Sequence, residues 1–445
     1  MDLKDKLLQD NPWWTKENQR IQTPDYERKI VDEIEKDEPF SMILFGPRQT
    51  GKTTIFQQVI NRKLEEGDND LVYAAMDRFP GSSLNEVIEA YKEINGRTQG
   101  TYFFDEVHNV KNWSSELKSL VDSAEEDKFY ATGSSSVVLL GKSAESGIGR
   151  FKYHHIPPFT FSEYCSYNGI NERISNVFDL QDENEAKVRS HYNETKPLLS
   201  RYQLWGGFPS QFNLDYSLGE WHDYLRQNYV SLTIYKDILS YFEVRDPSIL
   251  EDILFLISEK TGLPLSYTSI SNSFNISFEA LRNYIHYLEA SGLIIVCEYY
   301  SKNVLKRKRR NKKFYIADPG LNSALRYKEI LDDRFMSLNI ELTIANDLKN
   351  YLRKNTGLIN PKLTYWKDKY EVDFVIEIGG DVRPIEVKFK EEIKGSDLKG
   401  ILSFMDENEL EQGWVVSKSD FERREIEGHH LDFIPASVFL SAPKY

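Results

Sequence analysis

An α/β architecture follows from three features of the sequence. An apolar run, Met42 to Phe45, leads into Gly46-Pro47-Arg48-Gln49-Thr50-Gly51-Lys52-Thr53, and a helical pattern from Thr54 to Leu64 leaves it. A second strand-prone run, Thr101 to Phe104, ends in the paired acids Asp105 and Glu106. Further strands and helices alternate at spacings that predict a parallel, doubly wound sheet.

The first feature has the order strand, glycine loop, helix that a P-loop requires. In such a loop the backbone N–H groups point at phosphate oxygens, and the helix N-terminus adds its positive dipole end. Gly46, Pro47, Arg48, Gln49, Thr50, Gly51, Lys52, Thr53 and Thr54 are therefore the expected nucleotide-binding residues. Lys52 is placed to reach the β- and γ-phosphates of ATP, and the Thr53 hydroxyl to ligate Mg2+. The acid pair lies at a strand's C-terminal end, where ligands sit in open α/β sheets. Asp105 is expected to hold Mg2+ through water, and Glu106 to orient or deprotonate the attacking water. A further strand, Phe129 to Thr132, runs into Gly133-Ser134-Ser135-Ser136. Thr132 and Ser134 are both candidates for a polar sensor of the γ-phosphate.

Composition sets the outer limits. A chain of 445 residues, 40% hydrophobic and 28% charged, suggests two to four soluble domains. No apolar run approaches the roughly 20 residues of a membrane span, and the N-terminus lacks the apolar core of a secretory signal. The 2 cysteines, Cys165 and Cys297, lie in unlike contexts, which argues for a reducing cytoplasm and against a disulfide framework. The formal net charge of -14 gives no global attraction to nucleic acid, so any nucleic-acid surface must be local.

The P-loop, Phe103-Phe104-Asp105-Glu106, Thr132 to Ser136, Gly149-Arg150, Pro158-Phe159-Thr160-Phe161-Ser162-Glu163-Tyr164 and Gly206-Gly207-Phe208-Pro209 together resemble a group of archaeal and bacterial AAA-type ATPases. Members of that group end in a domain of unknown function that looks like a restriction endonuclease. The resemblance covers nearly the whole chain. Residues 1–24, with Asn11-Pro12-Trp13-Trp14, read as a short aromatic arm packing over the domain's surface, ahead of a P-loop ATPase core over 25–165, and the resemblance implies a helical lid over 166–240. It also places Arg150 as an arginine finger directed at a neighbouring subunit, which requires at least a homodimer. The charged stretch Asn171 to Thr195 reads as a solvated surface.

Residues 241–320 change character. Ile249 to Ser258, Ser266 to Phe274 and Ser277 to Ser291 read as three helices, the last with a buried stripe of Leu281, Tyr284, Ile285 and Leu288. Two strands follow, Leu293 to Val296 and Phe314 to Ala317. Between them lie Lys302, Lys306, Arg307, Lys308, Arg309, Arg310, Lys312 and Lys313. Three helices and a two-stranded hairpin make a winged helix, with its third helix directed at a major groove and its basic wing at phosphates. DNA is the expected partner of this unit.

The last segment, 321–445, carries two alternating runs around Gly379-Gly380, a strong hairpin signal. That turn sets Asp373 opposite Glu386 and Glu371 opposite Lys388, all on one side. Opposed carboxylates call for a cation between them, and oxygen ligands suit Mg2+ or Mn2+. The arrangement of Asp373, Glu386 and Lys388 resembles the PD-(D/E)xK nuclease signature, and Glu341 matches the acid that the preceding helix supplies in that fold. The resemblance thus implies metal ligation by Glu341, Asp373 and Glu386, with Lys388 assisting catalysis. Ile434-Pro435-Ala436 reads as an edge strand or docking tail.

The expectation is an ATP-hydrolysing AAA-type protein that binds DNA and remodels or cleaves it. The competing class is a regulatory or signalling ATPase whose later domains bind protein or nucleic acid without cutting it.

Overall fold

The computed structural model describes residues 2–444 apart from 17–18, 37–39, 125, 135–149 and 172–173. Ser135, Ser136 and Gly149 lie outside the described residues. The chain forms two compact units, Met1–Pro157 and Pro158–Tyr445.

Five strands build the first unit: β1 (Ser41–Gly46), β2 (Leu71–Ala75), β3 (Thr101–Asp105), β4 (Lys128–Ser134) and β5 (Phe151–His155). They run parallel in the order β2-β3-β4-β1-β5. Met42 to Phe45 and Tyr102 to Phe104 are wholly buried, as expected where helices cover both sheet faces and strands read as unbroken apolar runs. The N-terminal arm is more than a surface strap. Its helix Leu3–Asp10 leads to Asn11, whose side chain bonds the backbone of Tyr73 on both sides, at 2.8 and 2.7 Å. The indoles of Trp13 and Trp14 both donate to the Leu71 carbonyl.

The second unit contains a continuous nine-stranded sheet. In chain order its strands are β6 (Pro264–Leu265), β7 (Ile294–Tyr299), β8 (Lys312–Ile316), β9 (Leu363–Lys367), β10 (Glu371–Ile378), β11 (Asp381–Lys388), β12 (Gln412–Ser417), β13 (Glu422–Ile426) and β14 (His429–Pro435). Their spatial order is β13-β14-β12-β11-β10-β9-β7-β8-β6. Helices Ser248–Glu259, Tyr267–Ser273 and Phe278–Ala290 precede β7, in the expected sequence. The basic connection between β7 and β8 is not a simple wing, because residues Val304–Arg309 form a short helix capped by Asn303. β7 also pairs in parallel with β9, so the segments read as separate over 241–320 and 321–445 share one sheet.

Two local expectations change. The stretch Asn171 to Thr195 is not simply solvated: helix Glu185–Trp205 buries Val188, His191 and Thr195. His191 bonds Ser441 at 2.8 Å, and Thr195 donates to Ser437 at 3.0 Å, both on the helix Ala436–Ser441. Nor is Ile434-Pro435 an edge, since β14 pairs with β12 on one side and β13 on the other. Proline is tolerated there because it is the last residue of the strand.

The two motifs after the first unit clamp one another. The Phe159 N–H donates to the Gly207 carbonyl at 2.7 Å, and a side chain at Gly207 would overlap the Phe159 carbonyl. Thr160 and Glu163 form a reciprocal capping box on helix Phe161–Tyr167. Asp318 is buried, accepts from the backbone N–H of Gly207 at 2.8 Å, and caps helix Pro319–Leu325 through Leu321. Burial pushes its carboxyl up to about 6 despite these donors. Removing it orphans buried N–H groups, so Asp318→Ala should cost about 2–3 kcal/mol in equilibrium urea unfolding. A loss below about 0.5 kcal/mol would show that the clamp is not a stabilising contact.

Candidate functional site

The strand order of the first unit sets β4 between β1 and β3, so the P-loop, Thr132 and Asp105 gather at one sheet edge. The loop turns through Gln49 at φ 60 and Gly51 at φ 88, then enters helix Lys52–Glu65. Gly46 must be glycine, because a Cβ there would overlap the carbonyl of Ile156. Arg28, which the sequence did not single out, donates to the carbonyls of Thr50 at 3.0 Å and Pro157 at 2.9 Å. Thr50 closes the turn on the Pro47 carbonyl at 3.0 Å. Lys52 is buried and its ammonium donates to the loop carbonyls of Gly46 and Pro47, at 3.0 and 2.7 Å.

Asp105 is the hub. One carboxylate oxygen accepts from Thr53 Oγ1 at 2.7 Å and from the Tyr73 hydroxyl at 2.9 Å. The other accepts from Thr132 Oγ1 and, at 3.2 Å, from the Glu106 N–H. Thr132 in turn accepts from that same N–H at 2.8 Å. Burial and the adjacent Asp105 carboxylate hold the Tyr73 phenol well above its ordinary value, so it remains a donor. Tyr73 was missed in the sequence, where its only signal is a hydroxyl within the otherwise apolar Leu71 to Met76. Glu106 adopts φ 51, ψ 44, a left-handed conformation rare outside glycine and characteristic of sites whose surroundings over-determine the backbone. Its carboxylate lies 3.2 Å from His108 Nδ1.

Between the two sensor candidates, Thr132 is engaged in this network. Ser134 is buried at the end of β4, with no hydrogen-bond partner for its hydroxyl among the described residues. Arg150 is not drawn into the network. It is partly exposed and its Nε pairs with Asp122.

In the second unit the basic stretch sorts by environment. Lys312 and Arg307 face Glu298, at 3.2 and 3.9 Å, as does Lys362 at 3.0 Å. Lys306 and Arg310 lie over the Tyr299 ring. Lys302, Lys308 and Arg309 are exposed and make no ion pair among the described residues. Arg282, Asn283 and His286 project from helix Phe278–Ala290 and are also exposed. They line one wall of a cleft of about 290 Å³, faced by Lys312, Lys349 and Lys362.

The C-terminal acids converge, but around a lysine. The β10–β11 register pairs Phe374 with Ile385 and Ile378 with Asp381, as the Gly-Gly turn predicts. The Asp373 N–H donates to Glu386 at 3.3 Å, and Asp373 accepts from the Val387 N–H at 3.0 Å. Lys388 pairs with Glu386 and stands 3.9 Å from Asp373. Glu371 and Lys388, set opposite one another by the turn, form no ion pair among the described residues. Glu371 binds Lys313 at 2.6 Å and Lys367 at 2.9 Å instead, because Lys367 is its cross-strand neighbour on β9. Lys313, read in the sequence as part of a basic wing, is buried with its ammonium 3.2 Å from Asp373 and 3.4 Å from Glu341. The Tyr315 hydroxyl donates to Glu341 at 2.7 Å. Among the described residues, no group of three or more acids, histidines or cysteines is arranged to hold a metal ion.

Electrostatics follow from this packing. Burial pushes the Glu386 carboxyl up to about 8, aided by Asp373, and burial also raises Glu341. Burial opposes ionisation of Asp373, yet Lys313 and Lys388 outweigh it and hold that carboxyl below its usual range. Burial likewise works against the Lys313 ammonium, but Tyr315 and the surrounding carboxylates keep it well above its ordinary value.

Three family models match successive parts of the chain. Residues 38–165 match the AAA domain family, so the first unit carries an AAA-type ATPase domain. Residues 196–333 match a domain of unknown function, DUF8612, and residues 340–439 match another, DUF4143. An uncharacterized protein of Methanocaldococcus jannaschii is 26% identical over 345 residues, covering 75% of this chain and 71% of the relative. A second from the same organism is 25% identical over 447 residues, covering 96% and 90%. Among solved structures, Cdc6p from Pyrobaculum aerophilum aligns over 72% of this chain and 97% of its own, at 12% identity and a TM-score of 0.27. A likeness of that size carries no functional argument. No described helix is long and apolar enough to cross a membrane.

The raised Glu386 carboxyl gives a signed prediction. The folded protein keeps this proton where the unfolded chain, with an ordinary value of 4.5, releases it. The associated stability is present below 4.5 and lost as pH rises through about 8. With chelator present, the melting temperature of the wild type should fall from pH 5 to 8, and Glu386→Gln should flatten that slope. An unchanged slope in the variant would refute the assignment.

Proposed function

We propose that this protein hydrolyses ATP in its first unit and uses the second to bind duplex DNA, acting as a switch or motor without cleavage at the C-terminal acids. The observation that carries the ATPase part is the Thr53–Asp105–Thr132–Glu106 network. It ties the nucleotide loop to the acid that would handle water. Thr53 Oγ1 and Asp105 share a 2.7 Å contact, so both can face one Mg2+, which would polarise the phosphate oxygens. Lys52 would exchange its bonds to the loop carbonyls for bonds to phosphate. Glu106, its N–H fixed by Asp105 and Thr132, would orient the attacking water and accept its proton. Thr132 and Ser134 are the sensor candidates, with Ser134 favoured by its uncommitted hydroxyl. Arg150 would leave Asp122 to act across a subunit boundary in a homo-oligomer.

DNA binding is supported by the sorting of the basic residues. Arg282, Asn283 and His286 offer base-contacting chemistry on the exposed face of helix Phe278–Ala290, the recognition helix of a winged-helix reading. Lys302, Lys308 and Arg309 supply uncommitted charge for phosphates. The cleaving alternative, a PD-(D/E)xK centre of Asp373, Glu386 and Lys388 with Glu341, is less well supported. An internal ammonium already neutralises its acids.

Two outcomes test these parts separately. Lys52→Ala should abolish ATP binding in a fluorescent-nucleotide titration. Glu106→Gln should retain binding and lose hydrolysis by about 10²–10³-fold. Equal hydrolysis by wild type and Glu106→Gln would remove Glu106 from the mechanism.

For the second unit, changing Lys302, Lys308 and Arg309 together to Ala should make the salt dependence of duplex binding shallower by about 2–3 in log–log slope. Lys312→Ala, whose ammonium is committed to Glu298, should change it much less. A triple variant with the wild-type slope would move the DNA surface elsewhere.

A further inference from the structure

We infer that the cationic cleft of the second unit is a phosphate-binding site, and that its ligand is the terminal phosphate of a nucleotide, free or at the end of a nucleic-acid strand. The cleft, of about 290 Å³, stands near the lower limit of the roughly 300–1,000 Å³ of ligand pockets. Arg282 from helix Phe278–Ala290, Lys349 from helix Asp333–Thr356, Lys312 from β8 and Lys362 just ahead of β9 all line it. The carboxylates in its lining are Glu289 and Glu298.

Positive charge at this cleft exceeds the negative charge set against it. Glu298 alone faces Lys312 at 3.2 Å, Lys362 at 3.0 Å and Arg307 at 3.9 Å. Glu289 pairs with Lys349 and also acts on the charge of Arg353. Arg282 is exposed and makes no ion pair among the described residues. Lys349 shows the imbalance most clearly. Its side chain is 6% exposed, yet its partner oxygen on Glu289 stands 3.6 Å away. A charge-assisted hydrogen bond spans only about 2.8 Å. A buried ammonium matched so loosely is costly, and burial holds it below its ordinary value. An anion in the cleft supplies both the charge and the acceptor oxygens. The terminal monoester of a nucleotide approaches a dianion at neutral pH, so it answers this excess better than the single charge of a backbone diester. The Tyr267 ring in the cleft lining is a surface on which a base can stack, and the Asn283 amide can bond a base edge. An acidic peptide would use the charge but not these two groups. The site shares Arg282 and Asn283 with the duplex reading but does not rest on it.

Fluorescence anisotropy of a 3′-labelled single-stranded thymidine tetranucleotide, with and without a 5′-phosphate, tests the site on the full chain without any duplex. The 5′-phosphate should tighten binding at least about tenfold. Lys349→Met should bring that ratio close to one, and Arg282→Gln should lower it at least about threefold. Competition then separates the sources. Thymidine 5′-monophosphate displacing the probe as well as the unlabelled phosphorylated tetranucleotide upholds the site for free nucleotide. Much weaker displacement by the monophosphate upholds it for a strand end. Equal binding of the two tetranucleotides, or binding of neither, overturns the proposal. So does a phosphate preference that both variants retain in full, because the phosphate is then held elsewhere. Tetraglutamate displacing the probe as well as the phosphorylated tetranucleotide would reassign the cleft to an acidic peptide. Should Lys349→Met fail to fold, Arg282→Gln, at an exposed position, reads the same outcomes. Loss of the duplex reading leaves every one of these outcomes readable, since no duplex is present.

Discussion

A carboxylate removed from water must be matched by donors or cations at fixed positions, and this constraint shapes both units. Asp105 draws Thr53, Tyr73, Thr132 and the Glu106 N–H into one arrangement. Those donors come from the P-loop helix, from β2 and β4, and from the residue that follows β3, so the carboxylate fixes their relative placement. Asp318 does the same in the second unit, holding Gly207 and the start of helix Pro319–Leu325. Each buried donor–acceptor set contributes modestly by formation but is costly to break.

The same rule takes a different form at the C-terminal acids. There the donors are insufficient, and two lysines complete the balance. Raised Glu341 and Glu386, a still-ionised Asp373 and two ammonium groups form a self-compensating cluster. Such clusters contribute specificity of arrangement more than net stability. The sheet that runs from β6 to β13 is continuous here, and Lys313 ties β8 to β10 across it.

Much of the first unit was legible because its signals are local. The P-loop needs contiguous residues, and a strand buried on both faces writes itself as an apolar run. The Gly379-Gly380 hairpin was legible for the same reason, since period-2 alternation and a two-residue turn fix register by themselves. The partners of Asp105 were only half visible. Thr53 and Thr132 belong to recognisable positions, whereas Tyr73 and Arg28 contribute through packing of segments distant in sequence.

By itself the sequence determined the strand–loop–helix of the nucleotide site, the acid pair after β3, and the facing of Asp373 and Glu386. Tertiary structure alone decided which charges are available. Eight basic residues look alike between Lys302 and Lys313, yet Lys312 is committed to Glu298 and Lys313 to the acids of β10, while Lys302, Lys308 and Arg309 face solvent. The physical reason is that a charge's role depends on its desolvation and on the nearest opposite charge, and both are set by long-range strand pairing that no local pattern encodes.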